Sequence, residues 1–186
     1  MKAISLWQPW ASLIACGAKP YETRDWAPPA DLIGQTIAIH AAKKIDKDAA
    51  EFAEELMYGQ YEPGGHALAD KLEASFGGDD APDYLMGMFG KAVMPIGCVV
   101  AIARLDAAFK LGEPAQGTMM PAASVTRRMT SRPMPDCFTV RYDGFGDYAP
   151  GRWAWLLRDV KPVNPLVPAT GAQKFFDLPQ GWLVAP

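Results

Sequence analysis

Twenty-one residues near the N-terminus, Ile4 to Arg24 (ISLWQPWASLIACGAKPYETR), constrain this chain more than any other stretch. Pro9 pre-sets the backbone for a first helical turn and lacks an N–H that would go unpaired there. Trp10, Leu13 and Ile14 recur at helical spacing, and Gly17 stands where a left-handed C-terminal cap is expected. The pattern predicts a helix of about two turns, which delivers the chain to Lys19. Tyr21, Glu22, Thr23 and Arg24 then alternate as a short strand, which puts Glu22 and Arg24 on one face and Thr23 on the other. Lys19, Glu22 and Arg24 are therefore expected to converge at one strand end.

With 186 residues, 49% of them hydrophobic, the chain is long enough for a real core, and we expect one domain over 1–186 with an insertion at about 46–92 and a long loop at about 112–136. No run of 18 apolar residues occurs, and Met-Lys-Ala-Ile reads as a first strand and not as a signal peptide; the expectation is a cytoplasmic protein with no membrane partner. Cys16, Cys98 and Cys137 lack metal-ligand spacing and read as buried thiols, so neither a metal site nor a cofactor is expected. The net charge of −3 hides an asymmetry: Asp48 to Gly90 holds ten acidic residues against Lys71 alone, which leaves the rest of the chain at +6. An acidic insertion on a basic body is compatible with phosphate binding, and equally with two solvated faces.

Taken in order, Lys2 to Leu6 reads as a strand, Asp25 to Pro29 as a loop, and Gln35 to His40 as a strand that ends at His40 and leads into Lys43 and Lys44. Asp46 offers an N-cap for a helix over about Lys47 to Met57, and a second helical pattern runs from His66 to Phe76. Beyond Pro95 the pattern turns to strands at Ile96–Leu105, Phe138–Tyr142 and Trp153–Leu157, with a short last one within Ala172–Leu178. Strands with few helices and no regular βα repeat predict an α+β fold with a small mixed barrel. Between Gly112 and Asp136, prolines, methionines and Arg127, Arg128 and Arg132 read as a long loop, either merely tolerated or a basic flap over a site.

The segment LWQPWASLI, the core Gly17-Ala18-Lys19-Pro20-Tyr21-Glu22-Thr23-Arg24 written as GxKxxExR, the following Trp26 and the strand ending IHAAK resemble the ASCH domain. Pro95-Ile96-Gly97, Phe145-Gly146-Asp147-Tyr148, Pro150 to Leu156 and Gly171-Ala172-Gln173 agree in the same order. The resemblance implies a PUA-like β-barrel with flanking helices, whose cleft beside the first helix is lined by the GxKxxExR residues and takes RNA, DNA or a nucleotide. Some small members resembling this family hydrolyse acylated cytidine with a lysine and, three residues later, a threonine nucleophile. Here Lys19 matches the lysine, Glu22 occupies the threonine's place, and Lys174-Phe175-Phe176 replaces a more usual Gly-Leu-Trp-like ending.

Three functions stay open on the residues. In the first, the chain binds RNA, DNA or a modified nucleoside: Lys19 and Arg24 meet phosphate, Glu22 accepts from an exocyclic amine, and Trp7, Trp26, Tyr148 and Trp153 offer rings for stacking. Trp7, Gln8 and Trp26 are expected at the cleft rim, with Trp10 and Trp155 in the core. Lys43, Lys44 and Arg152 supply further phosphate contacts and His40 a ligand contact beside Lys43. In the second, Lys19 and Glu22 are the catalytic acid/base pair of a metal-independent hydrolase acting on RNA or an acylated cytidine. In the third, the acidic insertion is the contact surface of a protein-interaction module. The structural alternative makes Glu22 and Arg24 an ion pair that fixes the strand.

Overall fold

The computed structural model describes residues 1–44, 47–57, 70–72, 74–75, 94–117, 121–135 and 138–182. The fold is α+β and dominated by strands. In chain order the elements are β1 (Lys2–Leu6), α1 (Trp10–Ala15), β2 (Tyr21–Arg24), β3 (Thr36–Ala41), α2 (Lys47–Met57), β4 (Cys98–Pro114), β5 (Ala122–Thr130), β6 (Val140–Arg141), β7 (Trp153–Pro168) and β8 (Phe175–Asp177). Two compact units form from these elements: residues 1–18, 38–102 and 161–186, and residues 19–37 and 103–160. No helix among the described residues is long and apolar enough to cross a membrane.

In the first unit, β1 pairs in parallel with β3, from Ala3 opposite Ala38 to Leu6 opposite Ala41, and antiparallel with β8, Ala3 opposite Phe176. Ala3, Ala38, Val99, Val163 and Leu178 are buried together, with Ile102, Val167 and Phe176 packed on them. Alternation along short strands places these small and β-branched side chains on one face. Helix α1 buries Ala11, Leu13, Ile14 and Ala15, and it stops where Gly17, at a φ of 78°, donates its N–H to the Ile14 carbonyl over 2.9 Å. That conformation costs a glycine nothing and an L-residue with a Cβ considerably more. Phe52 of α2 reaches the Trp10 ring, centroid to centroid 6.3 Å.

In the second unit, β2 pairs antiparallel with β7 from Tyr21 opposite Leu156 to Arg24 opposite Trp153. Strand β4 pairs with β5, Phe109 opposite Arg128 and Lys110 opposite Arg127, and β5 continues to β6. The core joins Ala107, Phe109, Leu111, Ala123, Val140, Tyr148, Ala154 and Leu156. Phe109 stacks on Phe138 at 4.7 Å.

The segment 112–136, read from its prolines and methionines as a loop, carries strand in about half of its length: β4 runs on to Pro114 and β5 occupies Ala122–Thr130. Partner pairing overrides the local breakers here, because β5 gains its ladder hydrogen bonds from β4 and β6 and not from its neighbours in sequence. The expected helix over Lys47–Met57 is present. Of the pattern from His66 to Phe76, residues 70–72 and 74–75 are helical, and the remainder lies outside the described residues with most of the acidic segment 46–92.

Candidate functional site

At strand β2 of the second unit two cationic side chains, Lys19 and Arg24, meet the one carboxylate of Glu22. Arg24 Nε lies 2.8 Å from Glu22 Oε1, and Lys19 Nζ lies 3.8 Å from Glu22 Oε2. Lys19 Nζ also donates to the Tyr21 carbonyl. Lys19 is 1% exposed and Glu22 6%, so both charges are out of water, while the Arg24 side chain is 28% exposed. Burial pushes the Glu22 carboxyl above its ordinary range against the pull of Lys19 and Arg24, and the Asp143 charge adds to the rise. Desolvation offsets most of the attraction in such a cluster, which makes it a weak source of stability and a strong fixer of geometry.

The other face of β2 is tied down separately. Thr23 Oγ1 accepts from the Asp147 N–H at 3.1 Å, the Thr23 carbonyl accepts from Arg152 Nη2 at 3.4 Å, and Arg152 Nε lies 3.2 Å from Asp147 Oδ2. Arg152 thus anchors the loop 144–152 on β2. Thr23 faces this loop, as strand alternation requires, and its hydroxyl is engaged away from the Lys19–Glu22 pair.

Aromatic rings frame the same strand. Trp26 meets Trp155 edge to face at 4.8 Å, and Trp155 stands opposite Glu22 on the β2–β7 ladder. Trp153, opposite Arg24, is 6% exposed, with the Arg127 guanidinium 6.0 Å from its ring centroid. Tyr148 is buried and stacks on Tyr142 at 4.8 Å. Burial and the Asp143 charge raise its phenol far above the usual range.

The first unit holds the remaining sequence-predicted residues, and it buries two of them. Gln8, expected at a rim, is fully buried: its Nε2 donates to Ser12 Oγ at 2.8 Å and to the Pro95 carbonyl at 2.6 Å, and its Oε1 accepts from Ser12 N at 3.1 Å. It caps α1 and has no reach left for a ligand. His40, expected as a ligand contact, is 1% exposed, with Nδ1 3.0 Å from Ser5 Oγ and Nε2 3.1 Å from the Ala169 carbonyl. These bonds fit a neutral ring that donates from Nε2 and accepts at Nδ1, and burial first, then Lys43, lowers its pKa. Both ring nitrogens are thus partnered within the first unit. Trp7 is 43% exposed, and Lys43 and Lys44 are exposed as well. The Lys43 stem crosses Gly97, where a Cβ would come within 2.7 Å of Lys43 Cε, and borders a cavity of about 680 Å³ lined also by Thr170, Gln180 and Trp182.

Sequence reasoning missed Asp106. Its carboxylate takes Arg104 Nη1, Ser131 Oγ at 2.7 Å, Arg158 Nε at 3.2 Å and Arg132 Nη2 at 3.3 Å. Burial alone would raise Asp106, and the hydrogen bonds from Ser131, Arg104 and Arg132 outweigh it and hold the carboxyl below its ordinary value. The signal available was Arg104 and Asp106 two apart on a strand, and so on one face. Asp143 was missed too: its Oδ1 accepts from the Phe145 N–H at 2.8 Å, and its charge adds to the rise of both Glu22 and Tyr148.

Fold and site together define a small strand-rich α+β protein whose second unit holds a buried charge cluster with aromatic flanks. A family model for the ASCH domain matches residues 4–116, and the chain belongs to that family. No curated protein matches the chain. Membership supports a nucleic-acid-binding role.

Proposed function

We propose that the chain binds RNA, DNA or a nucleotide of either, on the PUA-like barrel that ASCH membership suggests, with Glu22 and Arg24 as its recognition pair. Glu22 accepts a hydrogen bond from an exocyclic amine, as acidic side chains do with cytosine, and the planar fork of Arg24 meets a phosphate or steadies Glu22. Lys19 is too deeply buried for a phosphate contact of its own, and it holds the Glu22 charge in place. Trp26, half-buried, offers ring surface beside them. Trp7, Lys43 and Lys44, exposed in the first unit, add stacking and phosphate contacts there.

One observation carries this reading: Glu22 is buried between two cations, with Oε1 2.8 Å from Arg24 Nε and Oε2 3.8 Å from Lys19 Nζ, a geometry that does little for stability and orients an acceptor well. The test is binding of labelled single-stranded RNA, single-stranded DNA and duplex DNA at two salt concentrations, by the wild type and by a folded Arg24→Ala variant. Salt-sensitive binding that weakens in the variant supports the reading. Absence of binding to all three contradicts binding of a polymer and leaves only a small nucleotide as ligand.

A second reading is favoured by the raised Glu22 carboxyl beside Lys19, the pairing of a general acid with a cation that suits hydrolysis of RNA or of an acylated cytidine. Turnover of an acylated cytidine abolished by Glu22→Gln supports it, and turnover unaffected by that change removes Glu22 from the chemistry.

A further inference from the structure

Two ladders of the second unit put a row of cations and one indole on a single sheet face. Opposite residues of an antiparallel pair share a face, so Arg24 of β2 stands with Trp153 of β7, and Lys110 of β4 stands with Arg127 of β5. Leu111 donates to the Arg152 carbonyl at 2.8 Å and accepts from Gly151 at 2.9 Å, which sets Lys110 beside Trp153 on the antiparallel neighbour. The Arg127 guanidinium over the Trp153 ring, at 6.0 Å, closes the row onto one side.

Like charges directly opposite on a ladder are destabilising, yet Lys110 and Arg127 are both exposed, and neither has a carboxylate partner among the described residues. Neighbouring strands lie ~4.8 Å apart, so four strands carry the row over ~14 Å. We propose that Arg24, Trp153, Lys110 and Arg127 form a track for a polynucleotide backbone that leads across β2, β7, β4 and β5 away from Glu22. Arg24, Lys110 and Arg127 meet phosphates. The outer face of the Arg127 guanidinium, whose Cζ lies 6.0 Å from the Trp153 ring centroid, offers a plane on which a base stacks. This track rests on the nucleic-acid reading above and extends it from one nucleotide to a chain.

The experiment measures binding of a labelled oligouridylate, the matching oligodeoxythymidylate and the free mononucleotide over graded salt, for the wild type, Lys110→Gln, Arg127→Gln and the double variant. Both positions are exposed, so folding is expected to survive, and circular dichroism checks it. The track predicts that each single change lowers the slope of log affinity against log salt by about one for the oligomer, and the double by about two, with mononucleotide binding unchanged. Oligomer slope and affinity unchanged in the double variant overturn the track and leave the Glu22 reading standing. If the wild type binds no oligomer the track falls, and if it binds no mononucleotide either, both fall. Equal effects on RNA and DNA mark a backbone contact, and a loss confined to one of them contradicts it.

Discussion

Glu22 and Arg24 sit two residues apart on β2 with Oε1 and Nε 2.8 Å from one another, and Lys19 closes the other side of the same carboxylate at 3.8 Å. Removing Glu22 strands a lysine that is 1% exposed. Glu22→Ala is expected to lower stability by ~3 kcal/mol, as for other broken buried pairs. Urea unfolding measures it, and a loss within error would show that Lys19 finds water or another acceptor.

The raised Glu22 carboxyl has a signed consequence. A folded pKa above the unfolded one means that the native state binds the proton more tightly, so this contribution to stability is full below the ordinary value of 4.5 and is lost as pH rises through the raised one. Thermal unfolding across that interval should show the wild type losing stability relative to Glu22→Gln as pH rises. Parallel curves would place the native carboxyl at its ordinary value.

His40 works in the opposite direction. Its folded pKa is depressed, so its contribution is present above the ordinary value of 6.5 and is lost as pH falls through the folded value. Stability should fall in that range for the wild type and less steeply for His40→Gln. A titration of the imidazole by NMR at or above its ordinary value would contradict this.

The His40 pocket also fixes what can stand at Gly171. A Cβ there would come within 2.5 Å of both His40 Cε1 and Ser5 Oγ. Gly171→Ala should cost ~1–3 kcal/mol through overpacking. An unchanged melting temperature would show that the segment carrying Gly171 yields freely.

Much of the strand order was legible because local pattern and tertiary demand agree. Pro9, the Trp10–Leu13–Ile14 spacing and Gly17 mark α1, and the alternation of Tyr21 to Arg24 marks β2 and its two faces. β5 was hidden, since Ala122 to Thr130 lies among prolines and methionines and becomes a strand only by pairing with β4. The far ends of β4 and β7 run through Gly112, Pro162 and Pro165 for the same reason. In the site, charge type and spacing indicated Lys19, Glu22 and Arg24. Burial did not show: His40 and Gln8 look like ligand contacts as letters, and their bonds to Ser5, Ala169, Ser12 and Pro95 come from residues up to 129 positions away. The Asp106 cluster draws on Arg104, Ser131, Arg132 and Arg158, a juxtaposition that only the ladder creates.

The most direct test of the recognition pair is an NMR titration of the labelled protein with oligouridylate, following the backbone amides of Glu22 and Arg24 and the indole N–H of Trp153. The account predicts saturable shifts at these positions, strongest in low salt, with the amides of Ser5 and His40 unmoved. Binding that shifts Ser5 and His40 and leaves Glu22, Arg24 and Trp153 untouched would contradict it.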